Sequence, residues 1–70
     1  MEIVIITRDI NGCRNRHTMT DTAEAYNWCR SMADNEPDTE ILLVAIDGSW
    51  VYSALLNEPL DWEDLVGFFA

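Results

Sequence analysis

Few side chains in this chain have the chemistry of a nucleophile, a general base or a soft metal ligand. The candidates are Cys13, His17 and Cys29, and His17 is the only histidine. Structural zinc sites use paired Cys-x₂₋₄-Cys or His-x₃₋₅-His spacing, which does not occur here. A nucleophile also needs a base within reach and a group that orients the base, and no glycine-rich oxyanion motif accompanies Cys13 and His17. We therefore expect no catalytic activity, no metal site and no cofactor.

Carboxylates, in contrast, are abundant and unevenly distributed. Thirteen Asp and Glu stand against four Arg and no Lys, which gives a net charge of −9. Residues 1–20 sum to +1 and residues 21–70 sum to −10. Charge of this sign disfavours direct binding of a nucleic-acid backbone or an anionic membrane, since both require clustered cations. A basic surface on a partner protein would be attracted instead.

The acids concentrate in two short segments, 34–40 and 58–64. A catalytic carboxylate pair would need one member in a desolvated site, whereas the second segment lies at a predicted helix start, where the dipole favours the ionised form. The first segment lacks the twelve-residue spacing and central glycine of an EF-hand. We therefore predict that both segments bind a basic partner. The predicted partner-binding residues are Asp34, Glu36, Asp38, Glu40, Glu58, Asp61, Trp62, Glu63 and Asp64.

Aromatic residues near these acids are candidate interface anchors, namely Trp62 and either Trp50 or Tyr52. The alternative is that the tryptophans belong to the core and the acids form a solvated surface that keeps a small protein soluble. The arginines Arg8, Arg14 and Arg16 lie in the near-neutral opening region. They predict either a second contact surface or internal pairing with the acids.

The first half of the chain predicts a hairpin followed by a helix. Residues 2–7 form a β-branched run that is apolar on both faces, which is typical of a strand covered on both sides. Asn11-Gly12 predicts a tight turn, and residues 14–19 can return as a more polar strand. The helix is predicted over residues 21–34. It begins with a capping box from Asp21 to Glu24, and it ends where an asparagine can adopt the left-handed conformation before Pro37. Its predicted apolar face comprises Ala25, Trp28, Cys29 and Met32.

The second half predicts the same order of elements. Residues 40–46 form a buried strand, Asp47-Gly48 a hairpin turn and residues 50–54 the return strand. A final helix is predicted to begin at Asn57-Glu58-Pro59, with the proline in its first turn. The fold class is therefore a single α+β domain over residues 1–70, with the order ββαββα. A mostly antiparallel sheet of about four strands packed with two helices would bury both apolar stripes.

No stretch approaches the roughly 20 apolar residues of a membrane span. The opening residues MEIVII lack a basic region and a cleavage site, so we expect no signal peptide. Two cysteines without a secretion signal are expected to be reduced thiols. These features predict a protein of the cytoplasm, with no direct contact to membrane or nucleic acid.

In its length, its lack of lysine, its two acidic segments and its lack of catalytic residues, the chain resembles small phage-encoded inhibitors of bacterial defence. These are the anti-CRISPR and anti-restriction proteins, and the resemblance implies that the cytoplasm is that of a bacterial host cell. The resemblance implies a compact α+β protein that blocks the nucleic-acid-binding or target-adjacent-motif-reading surface of a CRISPR or restriction effector, in some cases by resembling DNA. It assigns a role to no individual residue, and the three arginines of the opening region depart from a pure DNA mimic. The alternative is a homodimeric structural or regulatory adaptor without nucleic-acid mimicry, and both a monomer and a homodimer remain open.

Overall fold

The computed structural model describes all residues from Met1 to Ala70 and contains four strands and two helices. In chain order these are β1 (Ile3–Arg8), β2 (Arg14–Met19), α1 (Thr22–Asn35), β3 (Glu40–Ile46), β4 (Ser49–Ser53) and α2 (Trp62–Phe69). The predicted α+β class and the order ββαββα are confirmed.

The four strands form one antiparallel sheet in the order β2-β1-β3-β4. The apolar run of β1 takes a central position, where it pairs with β2 on one side and β3 on the other. Side chains alternate between the two faces of a strand. Ile3, Ile5 and Thr7 point to the core and are at most 1% exposed. Val4, Ile6 and Arg8 point to the opposite face, where Val4 is 8% exposed and the other two are only partly buried. The expectation that β1 is covered on both sides is therefore wrong, because both helices pack on the same face of the sheet.

One hydrophobic core lies between the sheet and the helices. It consists of twelve buried residues: Ile3, Ile5, Met19, Ala25, Cys29, Met32, Ile41, Val44, Tyr52, Trp62, Leu65 and Phe69. Three of the four predicted apolar residues of α1 are in this core, and Trp28 packs against it. The helical spacing of the apolar residues therefore predicted the buried face of α1 correctly.

The two hairpins use different turns. Asp47 and Gly48 both have positive φ, at 51° and 81°, which is the geometry of a two-residue type I′ turn. In the first hairpin only Gly12 has positive φ, at 85°. The turn there is held by Asp9, whose carboxylate accepts from the backbone N–H groups of Asn11 and Cys13 at 2.9 Å each. The glycine was correctly placed in a turn, but Asn11 does not share its left-handed conformation.

Helix α1 begins as predicted and ends differently. The Asp21 carboxylate accepts from the Glu24 backbone N–H at 2.7 Å, which is the first half of the predicted capping box. At the other end Asn35 remains helical, and the C-cap is Glu36 with φ −138°, whose N–H donates to the carbonyl of Met32. The predicted left-handed asparagine is therefore wrong, and Pro37 stops the helix without it.

Helix α2 begins later than predicted. Asp61 is its N-cap and accepts from the backbone N–H of Asp64 at 2.8 Å. The segment Asn57–Pro59 is not helical because its backbone is held elsewhere. The Tyr52 hydroxyl donates to the Glu58 carbonyl at 3.0 Å and accepts from the Leu60 N–H at 3.2 Å. The first-turn proline was thus assigned to the wrong segment, whereas the acids at the helix start are placed as predicted.

Candidate acidic surface

The two acidic segments are brought together at one end of the molecule. The indole N–H of Trp62, in the first residue of α2, donates to the backbone carbonyl of Thr39 at 2.9 Å. This bond joins the loop after α1 to the start of α2. The two acidic segments are therefore in contact at Thr39 and Trp62, each of which has acidic residues beside it in the sequence. We define the acidic surface as Asp34, Glu36, Asp38, Glu58, Asp61, Glu63 and Asp64, all of which are exposed.

Arg30 marks the border of this surface on α1. Its guanidinium donates to the Tyr26 hydroxyl at 3.0 Å. This hydrogen bond and the nearby carboxylates of Asp34 and Glu63 raise the pKa of Arg30. An acid from each segment therefore acts on the same cation. These two acids are 29 positions apart in the sequence, and the packing of α1 against α2 brings them together.

Trp62 lies beneath the acidic surface, where it links the two segments, and its side chain is not part of that surface. Its side chain is 4% exposed. Its ring makes an edge-to-face contact with Trp28, with 5.4 Å between the ring centroids. Trp28 in turn lies against His17, with 4.4 Å between their ring centroids. We therefore correct the expectation that Trp62 is an exposed anchor among the acids. Tyr52 is also buried, at 9%, whereas Trp50 is 54% exposed on β4.

Glu40 faces away from the acidic surface. Its carboxylate accepts from the Arg8 Nε at 3.1 Å and forms the only salt bridge of the structure with the same guanidinium. Both residues lie on the face of the sheet that the helices leave open. Glu40 is thus a paired charge of the sheet, although the sequence grouped it with the acids of the loop. The internal pairing predicted for the arginines occurs for Arg8 and for neither Arg14 nor Arg16.

The acids at the end of α1 occupy an unfavourable position. The C-terminal end of a helix carries partial negative charge, so cations are preferred there and each is worth about 0.3–1 kcal/mol. The last turn of α1 contains no basic residue, and Asp34 and Glu36 lie at this end. The interaction of these two acids with the helix dipole is therefore unfavourable, although Arg30 attracts Asp34.

The side chains with nucleophile or ligand chemistry are separated. Cys13 is exposed at the turn of the first hairpin and Cys29 is buried in the core. Burial raises the pKa of the Cys29 thiol to about 12, which keeps it protonated. His17 lies on β2, where its Nε2 shares a hydrogen bond of 3.1 Å with the Thr7 hydroxyl. Four residues along a strand span about 13 Å, so β2 carries His17 away from Cys13.

The packing of His17 predicts a pH-dependent stability. Burial lowers the pKa of His17 below 6.5, and the charge of Glu36 opposes part of this shift. The unfolded chain therefore binds the proton first as the pH falls. The contribution of His17 to stability is complete above pH 6.5 and is lost as the pH falls through the lower folded pKa. Urea unfolding at about pH 7.5 and about pH 5.5 should show this loss. The free energy of unfolding of a His17→Gln variant should change less between these two pH values. An identical change in both proteins would contradict this role of His17.

Comparisons with known proteins give no relative. No protein-family model, curated protein or solved structure matches the chain. Neither helix is long and apolar enough to cross a membrane. The acidic surface is therefore interpreted from its own geometry and charge.

Proposed function

We propose that this protein is a non-enzymatic binding protein whose acidic surface occupies a basic, nucleic-acid-binding surface of a partner. In this proposal it acts as an anti-CRISPR type inhibitor of a CRISPR or restriction effector, by steric block and by substituting for the phosphates of DNA. The observation that carries the proposal is the convergence of two acidic segments through the Trp62–Thr39 hydrogen bond.

The rigidity of the surface supports this function. The acids are attached to a helix end, a helix start and a loop whose backbone is bonded to Tyr52 in the sheet. A backbone held in this way loses little further freedom on binding, which lowers the entropic cost of association. Duplex DNA presents about one charge per 1.7 Å of axis, so a groove that binds DNA has cations to meet such a cluster.

The unfavourable position of Asp34 and Glu36 also supports a binding role. Acids at the C-terminal end of a helix lower stability, and binding and catalytic sites are where proteins accept such costs. A surface needed only for solubility could carry the same charges elsewhere.

The test is a double charge reversal, Glu36→Lys with Asp38→Lys. The immobilised wild-type and reversed proteins are exposed to nuclease-treated bacterial lysate at about 50 mM and about 500 mM salt, and the retained proteins are identified. We expect the wild type to retain a basic nucleic-acid-binding protein at low salt. This protein should be lost at high salt, because the screening length of exposed charges falls to a few Å. The reversed protein should retain none of it. Purified partner should then fail to bind its DNA in the presence of the wild type.

The matched control is Glu2→Lys with Glu24→Lys, which changes the net charge equally at the opposite end of the fold. This control should retain the partner. The lysine at position 36 favours the helix end, so the reversed protein should unfold at an equal or higher urea concentration, which separates lost binding from lost structure. Equal retention by the wild-type and reversed proteins would refute the proposal.

A further inference from the structure

The face of the sheet opposite the helices carries three of the four arginines. Residues directly opposite each other on paired strands share a face. One row across this face therefore runs Arg14, Arg8, Glu40, and the next runs Arg16, Ile6, Leu43, Ser53. A third row runs Thr18, Val4, Ala45, Trp50. We call this surface the open face.

The centre of the open face is apolar and concave. A shallow groove of about 370 Å³ is lined by aliphatic side chains and bordered by charged ones. Ile6 and Leu43 form its floor, and Leu55, which is 95% exposed, stands at one side. Arg8, Arg14 and Glu40 lie on the other side. The groove thus joins an aliphatic floor to a cationic border.

The charge of the open face is opposite to that of the rest of the molecule. Its three arginines and Glu40 sum to +2, whereas the whole chain carries −9. Arg14 lies directly opposite Arg8 in the register, and like charges in such pairs destabilise a sheet. Glu40 pairs with Arg8, and Arg14 and Arg16 have no acidic partner in the structure.

We propose that the open face is a second docking surface, which binds an acidic and apolar polypeptide segment of a partner protein. Apolar side chains of the segment fill the groove over Ile6 and Leu43, and its carboxylates pair with Arg14 and Arg16. Arginine binds carboxylates through two parallel hydrogen bonds, which suits an exposed pair of this kind. The inference concerns a different face from the acidic surface and does not depend on it.

Charge and shape distinguish this occupant from two others. A second copy stacked symmetrically on the open face would place two surfaces of charge +2 against each other, which is repulsive. A nucleic-acid strand could pair with the arginines, but it carries a charge on every nucleotide and would approach a molecule only 19 Å across its shortest axis, whose residues outside the open face sum to −11. Phosphates would also leave the aliphatic floor unfilled. An acidic peptide with apolar residues satisfies both parts of the groove.

The test is selection from a displayed library of random peptides about 12 residues long, enough to cross the 25 Å axis in extended form. The peptides retained by the wild type are synthesised with a fluorescent label, and their affinities are measured by anisotropy. We expect acids interleaved with apolar residues among the retained sequences. Arg14→Glu and Arg16→Glu should each weaken binding about tenfold, and Leu55→Ser should weaken it by a similar factor.

Arg30→Glu is the matched control, because it makes the same change of charge at the arginine outside the open face. It should alter the affinity by less than about twofold. The Glu36→Lys, Asp38→Lys protein should also bind the peptide, so failure of one surface is distinguishable from failure of the other. Circular dichroism would verify that each variant is folded.

Three results would overturn the proposal. The first is a retained peptide set without acidic residues, or no retained peptide. The second is peptide binding that tolerates both Arg14→Glu and Arg16→Glu. The third is binding of a 20-nucleotide oligothymidylate that is lost in Arg16→Glu, or a dimer detected by light scattering that is lost in the same variant. These last outcomes would assign the open face to nucleic acid or to self-association.

Discussion

Replacing Trp62 with alanine is expected to lower the free energy of unfolding by about 3–5 kcal/mol, the usual cost of removing a buried tryptophan. The ring is 4% exposed and contacts Trp28. A domain of 70 residues has a total stability on the order of 4–10 kcal/mol. The variant should therefore lose about a third of its stability or more, and urea unfolding followed by far-UV circular dichroism would measure this.

Trp50→Ala is the control for the loss of a tryptophan. Trp50 is 54% exposed on the edge strand β4, so its removal should cost no more than about 1 kcal/mol. Equal losses at Trp50 and Trp62 would contradict the placement of Trp62 in the core.

Trp62→Phe separates the hydrogen bond from the ring. Phenylalanine keeps most of the apolar contact but removes the N–H that donates to Thr39. The substitution should lower the free energy of unfolding by roughly 1–3 kcal/mol, because the Thr39 carbonyl loses its hydrogen-bond donor. It should also weaken partner binding by the acidic surface, whereas a loss of stability without a loss of binding would show that the two segments do not need this link.

The fold was predictable because each element carries a local signal. The apolar spacing of α1 and the Asp47-Gly48 turn depend on residues that are close in sequence. The polar strand β2 was predicted within the same limits as observed, although its sequence RNRHTM is poor in apolar residues. Its position depends on the preceding turn and on pairing with β1, which provides the apolar surface for both.

The limits of α2 were not predictable from the same signals. Asn57-Glu58-Pro59 is a good helix start by composition, but the buried Tyr52 hydroxyl occupies the backbone groups of Glu58 and Leu60. A side chain on β4 therefore decides where α2 begins. Local sequence cannot report this contact, because it depends on how the sheet and the helix pack.

The candidate site was predicted in part. The exposure of the acids and their grouping into two segments follow from composition, but their convergence depends on the contact of Trp62 with Thr39. Glu40 was wrongly grouped with the acids of the loop because it is close to them in sequence. It is the first residue of β3, and the alternation of side chains between the two faces of a strand directs it toward Arg8. The cationic border of the open face has the same origin, since Arg8, Arg14 and Arg16 are all of one parity on two paired strands.

Replacing Tyr52 with phenylalanine is expected to lower the free energy of unfolding by about 1–3 kcal/mol, because one hydroxyl serves two backbone groups that then lose a partner. The ring remains in place, so the core should be unaffected. The consequence is local. The segment that carries Glu58 and Asp61 should be less well held, and the Leu60 amide should exchange its hydrogen faster. Hydrogen exchange measured by nuclear magnetic resonance would detect this.

Tyr26→Phe is the matched control, since it removes a tyrosine hydroxyl that accepts one exposed hydrogen bond from Arg30. It should change the stability by less than about 0.5 kcal/mol and leave the Leu60 amide protected. If both variants behave alike, Tyr52 does not position the start of α2. If only Tyr52→Phe speeds exchange and also weakens partner binding, a buried hydroxyl on β4 is what keeps half of the acidic surface in its binding geometry.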